Sequence, residues 1–294
     1  MDHKAFLAAL PAETKASLCA TENLAGIRHL TIHAGLILCG AIAIALRVPL
    51  WPLLLPVQGV LIVFLFTLEH ECTHHTPFAS RRLNDWVGRS CGVMLILPFE
   101  WFRYFHLAHH RFTNIAGQDP ELDAPKPETR AQWSIHVSGL PFWAANARLL
   151  IRLVRGRENA GYLPARALPR MQSEARIMLA LYVCAAGSLF WSPVLLWVWI
   201  VPAMLGQPFL RLYLLAEHGD CPKVANMFEN TRTTFTTAVV RFLAWNMPYH
   251  AEHHVFPAVP FHKLPDLHRL MRARLQVTAD GYAAFTRAYL ARRW

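Results

Sequence analysis

Three short stretches carry nine of the sixteen histidines: "HECTHH" (70–75), "HLAHH" (106–110) and "HAEHH" (250–254). A helix advances about 100° per residue, so positions i, i+3 and i+4 share one stripe. His106, His109 and His110 sit at those offsets, and so do His250, His253 and His254. His70 and His74 are i and i+4, whereas His75 is turned roughly 140° from His70 on a continuing helix. Eight imidazoles on three stripes predict metal ligation. Imidazole suits zinc, copper, iron and nickel, so the ligand type does not choose the metal. The number is more informative. A closed zinc site uses four ligands and a catalytic one three plus water. Eight imidazoles exceed what one six-coordinate ion takes with a position left open, so two ions are expected. His3, His29, His33, His136, His262 and His268 stand apart and read as interfacial or hydrogen-bonded side chains.

Long apolar elements must position these stripes. Of 294 residues, 54% are hydrophobic and 16% charged. The apolar residues are blocked into segments close to the ~20 residues that cross a bilayer as a helix. The pattern predicts an all-α integral membrane protein with four transmembrane helices in two hairpins, at about 30–46, 50–69, 177–192 and 194–216. Interfacial helices and a histidine-rich di-metal cap, 70–175 and 217–294, complete one membrane domain over 1–294. The stretch 86–105 is interrupted by Arg89, Pro98, Glu100 and Arg103 and reads as interfacial or re-entrant. Lys and Arg concentrate in the connector between the hairpins and in the tail. The positive-inside bias therefore places both termini and all three histidine stretches on the cytoplasmic side.

The net charge of +10 fits anionic headgroups or an acidic partner protein better than nucleic acid, for which no spaced aromatic and basic motif exists. Six scattered cysteines without a CxxC suggest neither a disulfide scaffold nor a cysteine metal site. The N-terminal segment is not expected to be a signal peptide, and it could form an amphipathic helix on the membrane surface. A metal transporter or membrane haem protein is a remote alternative. Transport sites lie near the midplane on broken helices, and paired haem ligands would sit inside the spans. Here the histidines stand at and beyond the helix ends.

"HECTHH", "HLAHHRFTN…DPE" and "NMPYHAEHHVFP" resemble, in order and interval, the three histidine boxes of the membrane fatty acid desaturase superfamily. That superfamily also includes hydroxylases, carotenoid ketolases and sphingolipid desaturases. The resemblance implies a non-haem di-iron centre that activates O2, with two irons held by His70 and His74, by His106, His109 and His110, and by His250, His253 and His254. A further ligand is implied before the third box, where "LLAEHGDCP" offers His218. His75 is implied as a ligand only if the helix unwinds, and otherwise as a supporting donor. Glu71, Glu217, Glu252 and Asp119 stand beside the boxes as candidates to orient the histidines, since a ligating imidazole usually donates its other N–H to a carboxylate, carbonyl or water. Asn246 could reach the metals directly or through water.

The implied reaction is oxidation of an unactivated C–H bond of a lipid chain, most simply fatty acyl desaturation. The alternative is a lipid or carotenoid hydroxylase or ketolase using the same site. An apolar tunnel, lined in part by "FEWFRYF", is expected to hold the chain. No HPGG haem motif, ferredoxin-type cysteine pattern or dinucleotide fingerprint occurs, so electrons are expected from an external ferredoxin-like or cytochrome donor with its reductase. Docking on a basic cytoplasmic face makes turnover salt-sensitive. Activity unchanged from low to high ionic strength would rule that docking out. The short form suggests a bacterial inner membrane.

Overall fold

The computed structural model describes residues 2–294. It is built almost entirely of helices. Two short ones, α1 (His3–Ala9) and α2 (Ala12–Cys19), precede the long α3 (Asn23–Ala45). They dock on protein: the Phe6 ring meets Phe228 edge-on at 5.8 Å, and the His3 ring lies by Asn226. After a turn in which Arg47 and Leu50 have left-handed backbone, the chain returns through α4 (Leu54–Val63) and α5 (Leu65–His74). The first arm begins seven residues before the expected start at 30 and ends at Ala45.

Among the described residues, three stretches are long and apolar enough to cross a membrane: Ala12–Ala45, Trp51–His74 and Leu196–His218. Leu24, Ile27, Ile32, Leu36, Leu38 and Ile42 of α3 stand exposed, as lipid-facing side chains do. The inward side of α3 is polar but satisfied. His29 Nε2 donates to the Phe242 carbonyl at 2.8 Å, and His33 Nε2 to the Leu61 carbonyl at 2.9 Å. Both histidines are therefore packing residues.

The stretch 86–105 is two helices, α6 (Arg81–Leu95) and α7 (Phe99–Phe112), broken where Ile96 turns left-handed before Pro98. They are followed by α8 (Arg130–Ser138), α9 (Leu140–Val154) and α10 (Leu168–Ser188). The expected crossing at 177–192 differs from the structure. Its helix begins nine residues earlier and ends at Ser188, with 189–191 in a turn. The reason lies in Glu174. Its carboxylate accepts the backbone N–H of Glu100 at 2.8 Å and so caps α7, drawing the first half of α10 into the cap.

A short π-helical turn, Leu196–Ile200, leads into α11 (Val201–His218). This helix crosses α4 at backbone contact, the small-residue packing typical of membrane helices. A Cβ on Gly59 would lie 2.0 Å from the Pro202 carbonyl oxygen, and one on Gly206 2.3 Å from that of Gly59. Gln58 ties the bundle further by donating to the carbonyls of Ile37 and Val198. Beyond α11 come α12 (Met227–Asn230), α13 (Ala238–Leu243), α14 (His250–Val255), α15 (Leu264–Met271) and α16 (Tyr282–Ala291). Two short parallel strands, β1 (Thr233–Thr234) and β2 (Thr278–Ala279), pair Thr233 with Thr278 and Thr234 with Ala279. They clasp the linker between α12 and α13 to the chain before α16.

Candidate metal centre

Nine imidazoles from four helices meet at one end of the bundle. α5 brings His70 and His74, α7 brings His106, His109 and His110, α11 ends on His218, and α14 brings His250, His253 and His254. They sort into two groups. In the first, His70, His74, His106, His110 and His253 offer nitrogens that all lie within 4.8 Å of one another. In the second, His109, His218 and His254 do the same. His250 joins the second, its Nε2 3.1 Å from that of His218 and 3.1 Å from that of His254.

The sorting crosses the boxes. On α7 the i, i+4 pair His106 and His110 serves the first group, and His109 the second. On α14 the i, i+4 pair His250 and His254 serves the second, and His253 the first. Each of these helices therefore stands astride both groups.

Proton positions follow from partners that can only accept. His109 Nδ1 donates to Asp119 Oδ1 at 2.9 Å, with Glu121 Oε2 3.3 Å away. His218 Nδ1 donates to the Asn230 carbonyl at 3.2 Å. The Thr113 hydroxyl donates to the His109 carbonyl, so His254 Nδ1 donates to that hydroxyl oxygen at 3.1 Å. A neutral imidazole with its proton on Nδ1 has a lone pair on Nε2. His109 and His218 thus aim bare Nε2 lone pairs at one another across 3.2 Å, and the Nε2 of His254 is bare as well. In the first group His74 and His106 Nε2 are 2.8 Å apart, and His110 and His253 Nε2 3.1 Å. Where both facing nitrogens are bare, as at His109 and His218, the lone pairs repel unless a cation stands between them. The donor set fits metal ions.

The surroundings keep these groups dry and aimed. Glu71 Oε1 lies 3.3 Å from His253 Nδ1, and Glu217 Oε1 3.3 Å from His250 Nδ1, close but not aligned as hydrogen bonds. Burial pushes His106, His110, His250, His253 and His254 well below the ordinary imidazole range. At His109 burial acts the same way, but Glu121 and Asp119 outweigh it and hold the ring above that range. The "FEWFRYF" aromatics lead up to the centre. Phe102 packs between Phe66 and the His106 ring, and Trp101 stacks on Phe105 with Tyr162 edge-on to both.

Over residues 48–286 the chain matches the family model described as fatty acid desaturase. The chain belongs to the fatty acid desaturase family. It is 25% identical over 244 residues to a fatty acid conjugase, FAC2 B, of Calendula officinalis, covering 71% of this chain and 64% of that protein. It is 25% identical over 203 residues to an sn-1 acyl-lipid omega-3 desaturase (ferredoxin) of Synechocystis sp., covering 64% of this chain and 56% of that one. The chain thus spans less than two thirds of the length of these two relatives.

Three residues named from the sequence of this desaturase-family chain lie elsewhere than expected. His75 ends α5 in a left-handed conformation (φ 59°) and turns its ring away from both groups. Its Nε2 is 3.0 Å from Asp85 Oδ1 and 3.1 Å from an Arg103 nitrogen, and Arg103 also pairs with Asp85. Glu252 accepts from Thr233 and His268 and faces no histidine of either group. Asn246, left-handed at φ 58°, donates its amide to the Phe261 carbonyl. Glu121, Asp85 and Arg103 are the additions. Glu121 stood in the quoted "DPE", and only its spacing from His109 signalled it.

His75→Asn and Asp85→Asn are therefore expected to behave alike, each keeping the full metal complement per chain. Elemental analysis of the purified variants checks this. A chain short of one ion with His75→Asn but complete with Asp85→Asn would return His75 to the ligands.

Proposed function

We propose that this chain oxidises an unactivated C–H bond of a lipid acyl chain with O2, introducing a double bond. The observation that carries the reading is the convergence of nine imidazoles, seven buried and two (His74 and His110) half-buried, into two groups where the apolar helices end. His70, His74, His106, His110 and His253 would hold one iron, and His109, His218, His250 and His254 the other. Bound there, non-haem iron supplies O2 activation and the oxidising power for C–H cleavage. In the net reaction the chain gives up two hydrogens, and with two electrons and two protons from the donor O2 leaves as two waters.

The residues of this chain supply position and dryness. Asp119 and Glu121 hold the Nδ1 proton of His109, the Asn230 carbonyl that of His218, and Thr113 that of His254. Phe66, Phe102 and Phe105 form an apolar flank along the first group, where a methylene chain would lie without displacing bound water. In this reading α10 is the fourth crossing, the whole chain is one membrane unit, and the histidines face the cytoplasm of a bacterial inner membrane. A soluble ferredoxin-like or cytochrome donor with its reductase would dock on the basic cytoplasmic face.

Expression in a host of known lipid composition, followed by mass spectrometry of total fatty acids, tests the proposal. An acyl species lighter by two hydrogens, absent with His110→Ala, is the expected result. A product heavier by one oxygen would make the chain a hydroxylase instead, and no His110-dependent change would refute the lipid reading.

A further inference from the structure

The stretch "FENTRTT" (228–234) contains no histidine, yet it closes around the second group. Asn226 caps α12 by accepting the Phe228 N–H, and that one-turn helix ends on Asn230. An asparagine side chain offers two amide N–H donors and an acceptor oxygen beside its backbone groups. Asn230 is fully buried, and each of these groups is engaged. Its Nδ2 donates to the Val224 carbonyl at 2.8 Å and to the Thr113 carbonyl at 3.0 Å. Its Oδ1 accepts the Thr231 hydroxyl at 2.8 Å. Its own carbonyl takes two donors, His218 Nδ1 at 3.2 Å and Asn114 Nδ2 at 2.6 Å.

Thr113 and Asn114, 117 and 116 residues away in sequence, are where α7 ends. The Thr113 hydroxyl oxygen takes the proton of His254 Nδ1. Asn114, left-handed at φ 59°, gives its backbone N–H to the same Asp119 that holds His109 Nδ1. Asn230 therefore stands behind ligands from three helices: His218 directly, His254 through Thr113, and His109 through Asn114 and Asp119. Arg232 secures the same stretch to the end of α11. Its guanidinium lies over the Phe285 ring at 4.5 Å and donates to the carbonyls of Ala216 and Gly219, and its backbone N–H donates to that of Glu217 at 2.9 Å. Carbonyls left over at a helix end are thus satisfied on both sides of His218. The first group has no counterpart. Nδ1 of His70, His110 and His253 finds no hydrogen-bond partner among the described residues. A buried polar network with every member satisfied holds its parts rigidly, whereas one lost partner leaves a costly unpaired group.

We propose that Asn230 is a positioning residue for the second group: its side-chain amide locks the end of α7 to the end of α11 and so fixes the proton positions and aim of His218 and His254. This deepens the two-group reading of the centre and rests on it, and the test keeps the two apart. In the metal-free protein in detergent, spectra of nitrogen-15-labelled histidine report which ring nitrogen carries the proton. His218 and His254 are expected as single Nδ1–H forms. Asn230→Asp, which exchanges the amide NH2 for an oxygen at nearly the same shape, should turn both into mixtures. Cobalt affinity is then read by chelator competition in two backgrounds. His253→Ala leaves the second group intact, and there Asn230→Asp should weaken binding about 10–100-fold. His109→Ala leaves the first group intact, and there it should change nothing. If Asn230→Asp does not fold, Thr231→Val, which removes only the hydroxyl that orients the amide, takes its place and should weaken second-group binding several-fold. Equal losses in both backgrounds would make Asn230 a packing residue and overturn the proposal, as would unchanged proton positions. Backgrounds that each retain two ions would break the two-group reading instead, and the histidine spectra alone then decide on Asn230.

Discussion

His109→Ala is expected to leave about one metal ion per chain and to lower product formation more than about 100-fold. Loss of a group that merely orients a ligand typically costs 10–100-fold in affinity or activity, and loss of the ligand itself should exceed that. His109 is buried, and its Nε2 is 3.2 Å from that of His218. Alanine leaves the second group with His218, His250 and His254 and no replacement nearby. His253→Ala is the mirror experiment. It sits in the third box yet belongs to the first group, so it should deplete the other ion. Elemental analysis of each variant, and of the pair together, reads one, one and none. Full metal in both single variants would sink the two-group assignment. His3→Ala, whose ring among the described residues hydrogen-bonds with Asn226 and the Met227 backbone, is the control and should lose nothing.

The second large effect is expected at Asp119. Its two oxygens are both committed, one to His109 Nδ1 and the other to the Asn114 backbone N–H at 2.7 Å. Asp119→Asn removes the charge that fixes the His109 tautomer, and metal affinity at the second group should fall about 10–100-fold. Competition titration with a chelator of known affinity measures it. The variant should also change how acid strips the metal. A ligating imidazole must be neutral, so protons compete with the ion. In the native chain His109 sits above the usual imidazole range, and the second group should lose its ion first as pH falls. Because the same change weakens the ion's hold, the second group of the variant should lose its metal at a higher pH than in the native chain. Unaltered affinity and an unaltered pH profile would mean that Glu121 alone suffices.

The lengths of apolar segments located the first hairpin and α11, because lipid contact demands an unbroken run. They misjudged α10, whose helix is partly recruited by a tertiary capping bond from Glu174 that no local pattern encodes. The histidine stripes were legible because i, i+3 and i+4 spacing is a property of one helix. Which group each histidine joins depends on how α7 and α14 cross, and that was not. The carboxylates show the same division. Glu252, at i+2 from His250, necessarily points off that stripe. Glu71 and Glu217 also lie off their own stripes, yet each reaches a histidine of another element, His253 and His250. A carboxylate beside one box serves a different box. The departure of His75 came from a helix that stops at His74 in a left-handed residue.

The crossed allotment of histidines on α7 and α14 bears on how the centre fills. The first ion to arrive would hold both helices at their spacing and so seat the imidazoles awaiting its companion. The second arrival meets a finished cage and binds more tightly than the first. At half the metal needed to fill both groups, the population should divide into empty and doubly loaded chains, with singly loaded ones scarce. Native mass spectra dominated by single occupancy would mean that the two groups fill independently.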